Sequence, residues 1–304
     1  AYWPIVGASL DITDNSANSH NLSTGDGLNT IYNAFTTTLL PTMTEVDSLE
    51  VKSGVLDLDN RNYVELDGSA DYIEANTTLT AELRTSHTIS AWIRPDDGVP
   101  AADSVIWSSN SSDGGDRTKF YISTAGKLTY LYNANGDNKS AQSDAASFVN
   151  NANPWKHVVA TMLYNSTSSA TMKLYIDGEP VTLNSTHNGA FGHNMADLTP
   201  SHEPFFGAEN NGGTAREFLD GGMRDVRFYD YALSAEQVKS LFLGRYLSTP
   251  KHWWKLNEGT GATASIEDYG TGTDSDGTGV SLTWAGTDNY KINGSARIGT
   301  NGSV

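Results

Sequence analysis

The chain has 304 residues, and its 19 Lys and Arg stand against 36 Asp and Glu for a net charge of −17. That balance repels phosphate and excludes nucleic acid as the main partner. The lack of cysteine excludes disulfides, thiolate metal sites and cysteine nucleophiles, and no apolar run reaches the roughly 18 residues a spanning helix needs.

The opening, Ala1-Tyr2-Trp3-Pro4, lacks the charged and apolar regions of a signal peptide. Two readings of this start stay open: a leader already removed, or loss of only an initiator Met. Further on, Gly, Asn, Ser, Thr and Asp dominate, and these are turn formers. Between them the pattern predicts short strands over 63–66, 88–94, 119–123, 128–132, 157–163, 171–176 and 223–229. Gly126-Lys127 and Asp177-Gly178 read as tight turns between strands. Strands at this spacing without intervening helices predict an antiparallel sandwich or barrel.

One helix is expected. Ser234 is followed three residues later by Gln237, which makes a capping box. Val238, Leu241 and Phe242 follow at helical spacing, and Gly244 can end the helix. It is expected to plug one edge of the sandwich.

The chain also repeats a short pattern. Tyr2-Trp3-Pro4 precedes the turn Asp14–Asn18, and Trp253-Trp254-Lys255-Leu256-Asn257-Glu258-Gly259 precedes Asp268-Tyr269-Gly270. The domain expectation is therefore a sandwich over 1–247, with 1–50 as its lead. Residues 248–304, beyond a boundary at Pro250, are expected to form a smaller β segment that opens a second repeat left incomplete.

Five motifs carry a resemblance. They are Asp67-Gly68-Ser69-Ala70-Asp71-Tyr72-Ile73-Glu74, Thr88–Pro95, Trp155–Thr161, Leu174-Tyr175-Ile176-Asp177-Gly178, and Gly222–Tyr229 with Ala232-Leu233-Ser234. In this order they resemble the laminin-G-like domains of the concanavalin A-like lectin/glucanase superfamily. The resemblance implies an all-β, two-sheet antiparallel jelly-roll sandwich with one short helix. It does not choose among glycan binding, adhesion, spacing and capping of enzymes. More loosely, residues 248–280 resemble tandem laminin-G-like structural proteins of bacteriophages.

Several residues are candidates for chemistry. Glu45-Val46-Asp47-Ser48-Leu49-Glu50 matches the E-x-D-x-x-E signature of family 16 glycoside hydrolases. There the resemblance implies Glu45 as nucleophile, Asp47 as its tuner and Glu50 as acid/base, with two carboxyls about 5–5.5 Å apart. Ser48 stands where that family has an apolar residue, and no tryptophan is near to floor a sugar subsite. The match is read as coincidence, and the chain is expected not to be an enzyme. Laminin-G-like domains often carry calcium at the rim, which makes Asp14, Asn18, Asp71 and Asp225 candidate ligands, since hard cations take loop oxygens. Asp225 can equally pair with Arg227. The histidines His187, His193 and His202 read as solvated loop residues. Trp92 and Trp155 read as core or strand-edge anchors. Trp253 and Trp254 are adjacent, so in a strand they face opposite sides, and one can meet a glycan or a partner subunit.

The expected function is a non-enzymatic structural or adhesive surface module, extracellular or on a virion as a decoration or fibre protein. Its expected partners are further subunits in a homo-oligomer and possible glycans, without membrane insertion. The alternatives are a calcium-dependent glycan-binding module and a family-16-like glucanase.

Overall fold

The computed structural model describes residues 62–111, 115–150, 153–166, 169–184, 197–246 and 248–286, with the backbone of 5–6, 9–10, 290–292 and 296–298. Two compact units divide the chain, Arg61–Asp288 and the combination of Ala1–Asn60 with Asn289–Val304. In the smaller unit Ile5–Val6 pairs with Ser9–Leu10, and Tyr290–Ile292 with Ala296–Ile298, both antiparallel.

The larger unit is a sandwich. In chain order its strands are β1 (Tyr63–Asp67), β2 (Tyr72–Ala75), β3 (His87–Pro95), β4 (Ser104–Asn110), β5 (Arg117–Ile122) and β6 (Leu128–Ala134). Then come β7 (Asp137–Gln142), β8 (Lys156–Ser166), β9 (Ser169–Ile176), β10 (Glu179–Pro180), β11 (Phe205–Phe206) and β12 (Glu209–Asn211). The last six are β13 (Thr214–Arg216), β14 (Asp220–Tyr229), β15 (His252–Trp254), β16 (Ser265–Ile266), β17 (Gly277–Val280) and β18 (Thr283–Ala285). Two helices, α1 (Thr80–Leu83) and α2 (Ala235–Phe242), complete it.

Sheet I runs β10-β9-β8-β3-β14-β1-β18, with β15 also on β14. Sheet II runs β16-β17-β2-β11-β4-β5-β6-β7. All these pairings are antiparallel. Each of the seven strands predicted from sequence is present, extended by one to three residues at one or both ends, and the one expected over 119–123 stops at Ile122.

Alternation builds the core. Ile89, Ala91 and Ile93 of β3 face inward, as do Phe120 and Ile122 of β5. Strand β14 breaks alternation once. Its register shifts between Arg224 and Arg227, and Asp225 sits at φ +55°. This bulge lets Met223 and Val226, three apart, both enter the core. Turn chemistry is as predicted at Asp177-Gly178, where both residues have positive φ, 52° and 78°.

Helix α2 forms for the expected local reasons. The Ser234 Oγ accepts from the Gln237 amide at 3.3 Å, and Gln237 Oε1 accepts from the Ser234 amide at 2.8 Å. Gly244, at φ +66°, follows its end. Its placement corrects the expectation. It lies on the outer face of sheet I rather than at an edge, burying Val238 and Leu241 against Val159, Tyr175 and Tyr229. Those three point away from the main core because their neighbours Val158, Leu174 and Phe228 point into it.

The segment after Pro250 also departs from expectation. Instead of opening a second, incomplete repeat, β15 pairs with β14, β17 with β2 and β18 with β1. Trp254, Leu256, Ile266 and Leu282 join the main core. The physical reason is burial: these apolar side chains leave water only inside the sandwich already present.

Candidate functional site

The outer face of sheet II carries a row of polar side chains in register, buried at Asn110 and Asn133, half-buried at Arg117 and exposed at Asn138. Asn110 of β4 stands opposite Arg117 of β5, which stands opposite Asn133 of β6, which stands opposite Asn138 of β7. Partners in register share a face, and Thr118 and Phe120 take the opposite one. The next row across the same strands holds Ser108, Lys119, Leu131 and Ser140. Three buried atoms of the first row, Asn110 Oδ1, Arg117 Nε and Asn133 Oδ1, have no hydrogen-bond partner among the described residues. Two are acceptors and one is a donor.

The hairpin β12–β13 lies against this face and organises its charges. Glu209 is fully buried, and its carboxylate accepts from Arg216 Nε at 2.6 Å. Arg117 Nη1 is 3.6 Å away and the Asn110 amide donates at 3.4 Å. Burial works to raise the Glu209 carboxyl, but Arg216, Lys119 and Arg117 outweigh it and hold it below the usual range. Lys119, 5% exposed, donates to Glu217 at 2.7 Å and Asp103 at 2.9 Å. Burial opposes its charge, and the two carboxylates more than restore it. Each cation of the platform therefore has its anion in place. Nearby, the His202 Nε2 is buried without a partner among the described residues.

The residues singled out by sequence lie elsewhere. Asp71 is 3% exposed, and its carboxyl is raised first by burial and then by the charge of Asp67. Asp67 itself accepts the amides of Ser69, Ala70 and Asp71. Those bonds, the Ala70 amide foremost, hold it down to about 2. Asp225 accepts Arg227 at 2.9 and 3.0 Å and the Trp253 indole N–H, so it pins the bulge. Among the described residues no three His, Cys, Asp or Glu side chains group so as to hold a metal ion. Asp14 and Asn18 lie outside the described residues, as do Glu45, Asp47, Glu50, His187 and His193.

The tryptophan pair faces opposite sides, as adjacency demands. Trp254 is fully buried, its ring 4.7 Å from Phe206 and its indole N–H on the Ser275 carbonyl at 2.8 Å. Of the two candidates for a glycan or partner contact, Trp254 is therefore the one withdrawn into the core. Trp253 stands on the outer face of sheet I, half-buried, with Arg227 4.5 Å and Lys255 4.8 Å from its ring centroid. A sugar stacking on that ring has to displace a cation first. Trp92 and Trp155 are half-buried on the same face, with Arg224 5.7 and 4.0 Å away. They are clamps of that face rather than core.

Sequence reasoning missed Asn110, Arg117, Asn133 and Glu209. One signal was present: Arg117 and Lys119 stand two apart ahead of Phe120-Tyr121-Ile122, which puts both cations on one face of a strand.

Residues 67–239 match the Laminin_G_3 family, described as concanavalin A-like lectin/glucanases superfamily. Among solved structures, a putative carbohydrate binding protein from Bacteroides ovatus ATCC 8483 is similar in fold. It is 19% identical with a TM-score of 0.53, over 75% of this chain and 60% of that one. The CBM40 of the Ruminococcus gnavus IT-sialidase is 14% identical with a TM-score of 0.48, over 60% of this chain and 97% of that one. A heptameric SAP-like pentraxin from Limulus polyphemus is 20% identical with a TM-score of 0.42, over 60% and 82%. At these identities the likeness is one of fold alone. No curated protein matches the chain.

Proposed function

The chain belongs to the Laminin_G_3 family of the concanavalin A-like lectin/glucanases superfamily, and from that premise we propose that it is a non-catalytic recognition module for an uncharged, hydroxyl-rich glycan. The observation that carries this reading is the row Asn110–Arg117–Asn133–Asn138 across four strands of sheet II. The half-buried Arg117 and exposed Asn138 of that row, held on a rigid sheet over the buried Asn110 and Asn133, suit the hydroxyls of a sugar, because the ordering cost is met in advance. The cations there are already neutralised by Glu209, Glu217 and Asp103. No positive excess remains to favour an anionic sugar, and the net charge of −17 disfavours one further. Carboxylates held this way by cations suit holding a ligand rather than moving its protons. The setting in this reading is extracellular or the surface of a particle. Among the described residues no helix is long and apolar enough to cross a membrane.

A second reading is a structural subunit of an assembled particle, such as a virion fibre. It is favoured by the aromatic–Asp pattern that the sequence carries near both of its ends.

A glycan array tests the first reading, run once with calcium and once with EDTA to include the expected cation. The parent is expected to bind neutral oligosaccharides. Arg117→Ala and Asn133→Ala should each lose about tenfold in affinity, near one charge-assisted or neutral hydrogen bond. Trp253→Ala should bind as the parent does. Silence of the parent under both conditions, or loss only in Trp253→Ala, would end it.

A further inference from the structure

The segment 252–285 acts as a plug in the sandwich. It contributes β15 and β18 to sheet I and β16 and β17 to sheet II, so both layers are completed by one stretch of chain. Its anchors are few. Trp254, Leu256 and Ile266 are each fully buried. Asp268 is the polar anchor. Its Oδ1 accepts the Trp253 amide at 2.8 Å and the Gly270 amide at 2.9 Å, and its Oδ2 accepts His252 Nδ1 at 2.6 Å and the Ser275 amide at 3.2 Å. The segment also lies beyond the matched family region, which ends at residue 239.

The same anchors occur a second time in the sequence. Trp254-Lys255-Leu256 and Ile266-Glu267-Asp268 have counterparts in Trp3-Pro4-Ile5 and Ile12-Thr13-Asp14. An aromatic residue, Trp253 or Tyr2, precedes each tryptophan. The stretch between the two halves is three residues shorter in the N-terminal copy. That difference matches an exposed loop, residues 260–263, where length is cheap to change. So one seat in the fold has two candidate occupants in the sequence.

We propose that this seat is an exchange site, and that residues 2–14 of a second copy of the chain occupy it when residues 252–268 leave. The seated backbone pairs with β14, so the incoming segment adds a strand there, and its tryptophan fills the space beside Phe206. In an isolated chain the C-terminal segment holds the seat because it is tethered nearby. Exchange joins the N-terminal end of one copy to the sandwich of the next. Such head-to-tail contacts form open filaments unless the rotation closes a ring. This inference does not depend on the glycan reading.

The test uses the full chain as Trp254→Ala, Trp3→Ala and the double variant, each followed by light scattering over a concentration series and by urea unfolding. Trp254→Ala weakens the resident occupant. It is expected to assemble at concentrations about tenfold or more below the parent. Trp3→Ala alone should match the parent in mass and stability. The double variant should remain a monomer and unfold at lower urea than Trp254→Ala. If Trp254→Ala does not fold, Leu256→Ala with and without Trp3→Ala gives the same comparison with a smaller perturbation. A monomeric Trp254→Ala, or a double variant that assembles as readily as the single, would overturn the proposal.

Discussion

His87 is fully buried beneath the sandwich core, and its protonation state is dictated by its neighbours. Nδ1 is 2.7 Å from the Thr85 carbonyl and Nε2 is 2.6 Å from the Tyr130 hydroxyl. A carbonyl only accepts, so Nδ1 carries the proton and Nε2 accepts from Tyr130. The ring stacks near Phe228, 5.8 Å between centroids at 18°. Burial, only partly opposed by the Thr85 carbonyl, moves its pKa from 6.5 to about 4. The folded value lies below the unfolded one, so folding excludes a proton. The stability due to this group is whole above pH 6.5 and falls as pH drops toward 4. At about 1.4 kcal/mol per pH unit the loss is about 3 kcal/mol. His157, buried and lowered to about 3 chiefly by desolvation, adds a loss of the same sign.

The perturbation is the pair His87→Phe/Tyr130→Phe, which removes donor and acceptor together and so leaves neither of them stranded. Urea unfolding followed by tryptophan fluorescence at pH 7, 6, 5 and 4 gives the stability of each chain by linear extrapolation. At pH 7 the variant should lie within about 2 kcal/mol of the parent. From pH 7 to 4 it should lose about 3 kcal/mol less, since His157 and the carboxylates are common to both. Parallel loss in the two chains would refute the assignment of a neutral, proton-excluding His87.

Asp268→Ala leaves buried amides and His252 without their acceptor, and unfolding in urea should show a loss of about 3 kcal/mol or more. Two glycines separate conformational from steric cost. Gly136, at φ +80°, has open space where a Cβ would stand, so Gly136→Ala should cost only about 1 kcal/mol in Tm-derived stability. At Gly221 a Cβ would meet the Arg94 carbonyl oxygen at 2.2 Å, and Gly221→Ala should cost more than about 3 kcal/mol or prevent folding.

Much of the fold was legible locally. The strands β3, β8 and β9 alternate or run apolar over seven or more residues, and the capping box at Ser234 needs only its own neighbours. Strand β4 was not legible. Ser104-Val105-Ile106-Trp107-Ser108-Ser109-Asn110 reads as a short apolar run entering a turn. It is a fully buried strand, and groups distant in sequence satisfy Ser108 at its centre: the hydroxyl donates to the Ala208 carbonyl at 3.0 Å and accepts the Asn210 amide at 2.8 Å. The candidate site was hidden for the same reason. Asn110, Arg117 and Asn133 lie up to 23 positions apart, and only strand register aligns them.

What the sequence by itself determined were the β class, the turns, the one capped helix and the opposite facing of Trp253 and Trp254, since each depends on side-chain period or on a few adjacent residues. Tertiary structure alone decided that α2 covers a sheet face, that residues 252–285 complete this sandwich, and which polar side chains line up on sheet II. Those outcomes depend on which distant surfaces bury one another, and apolar burial acts on area without regard to chain order.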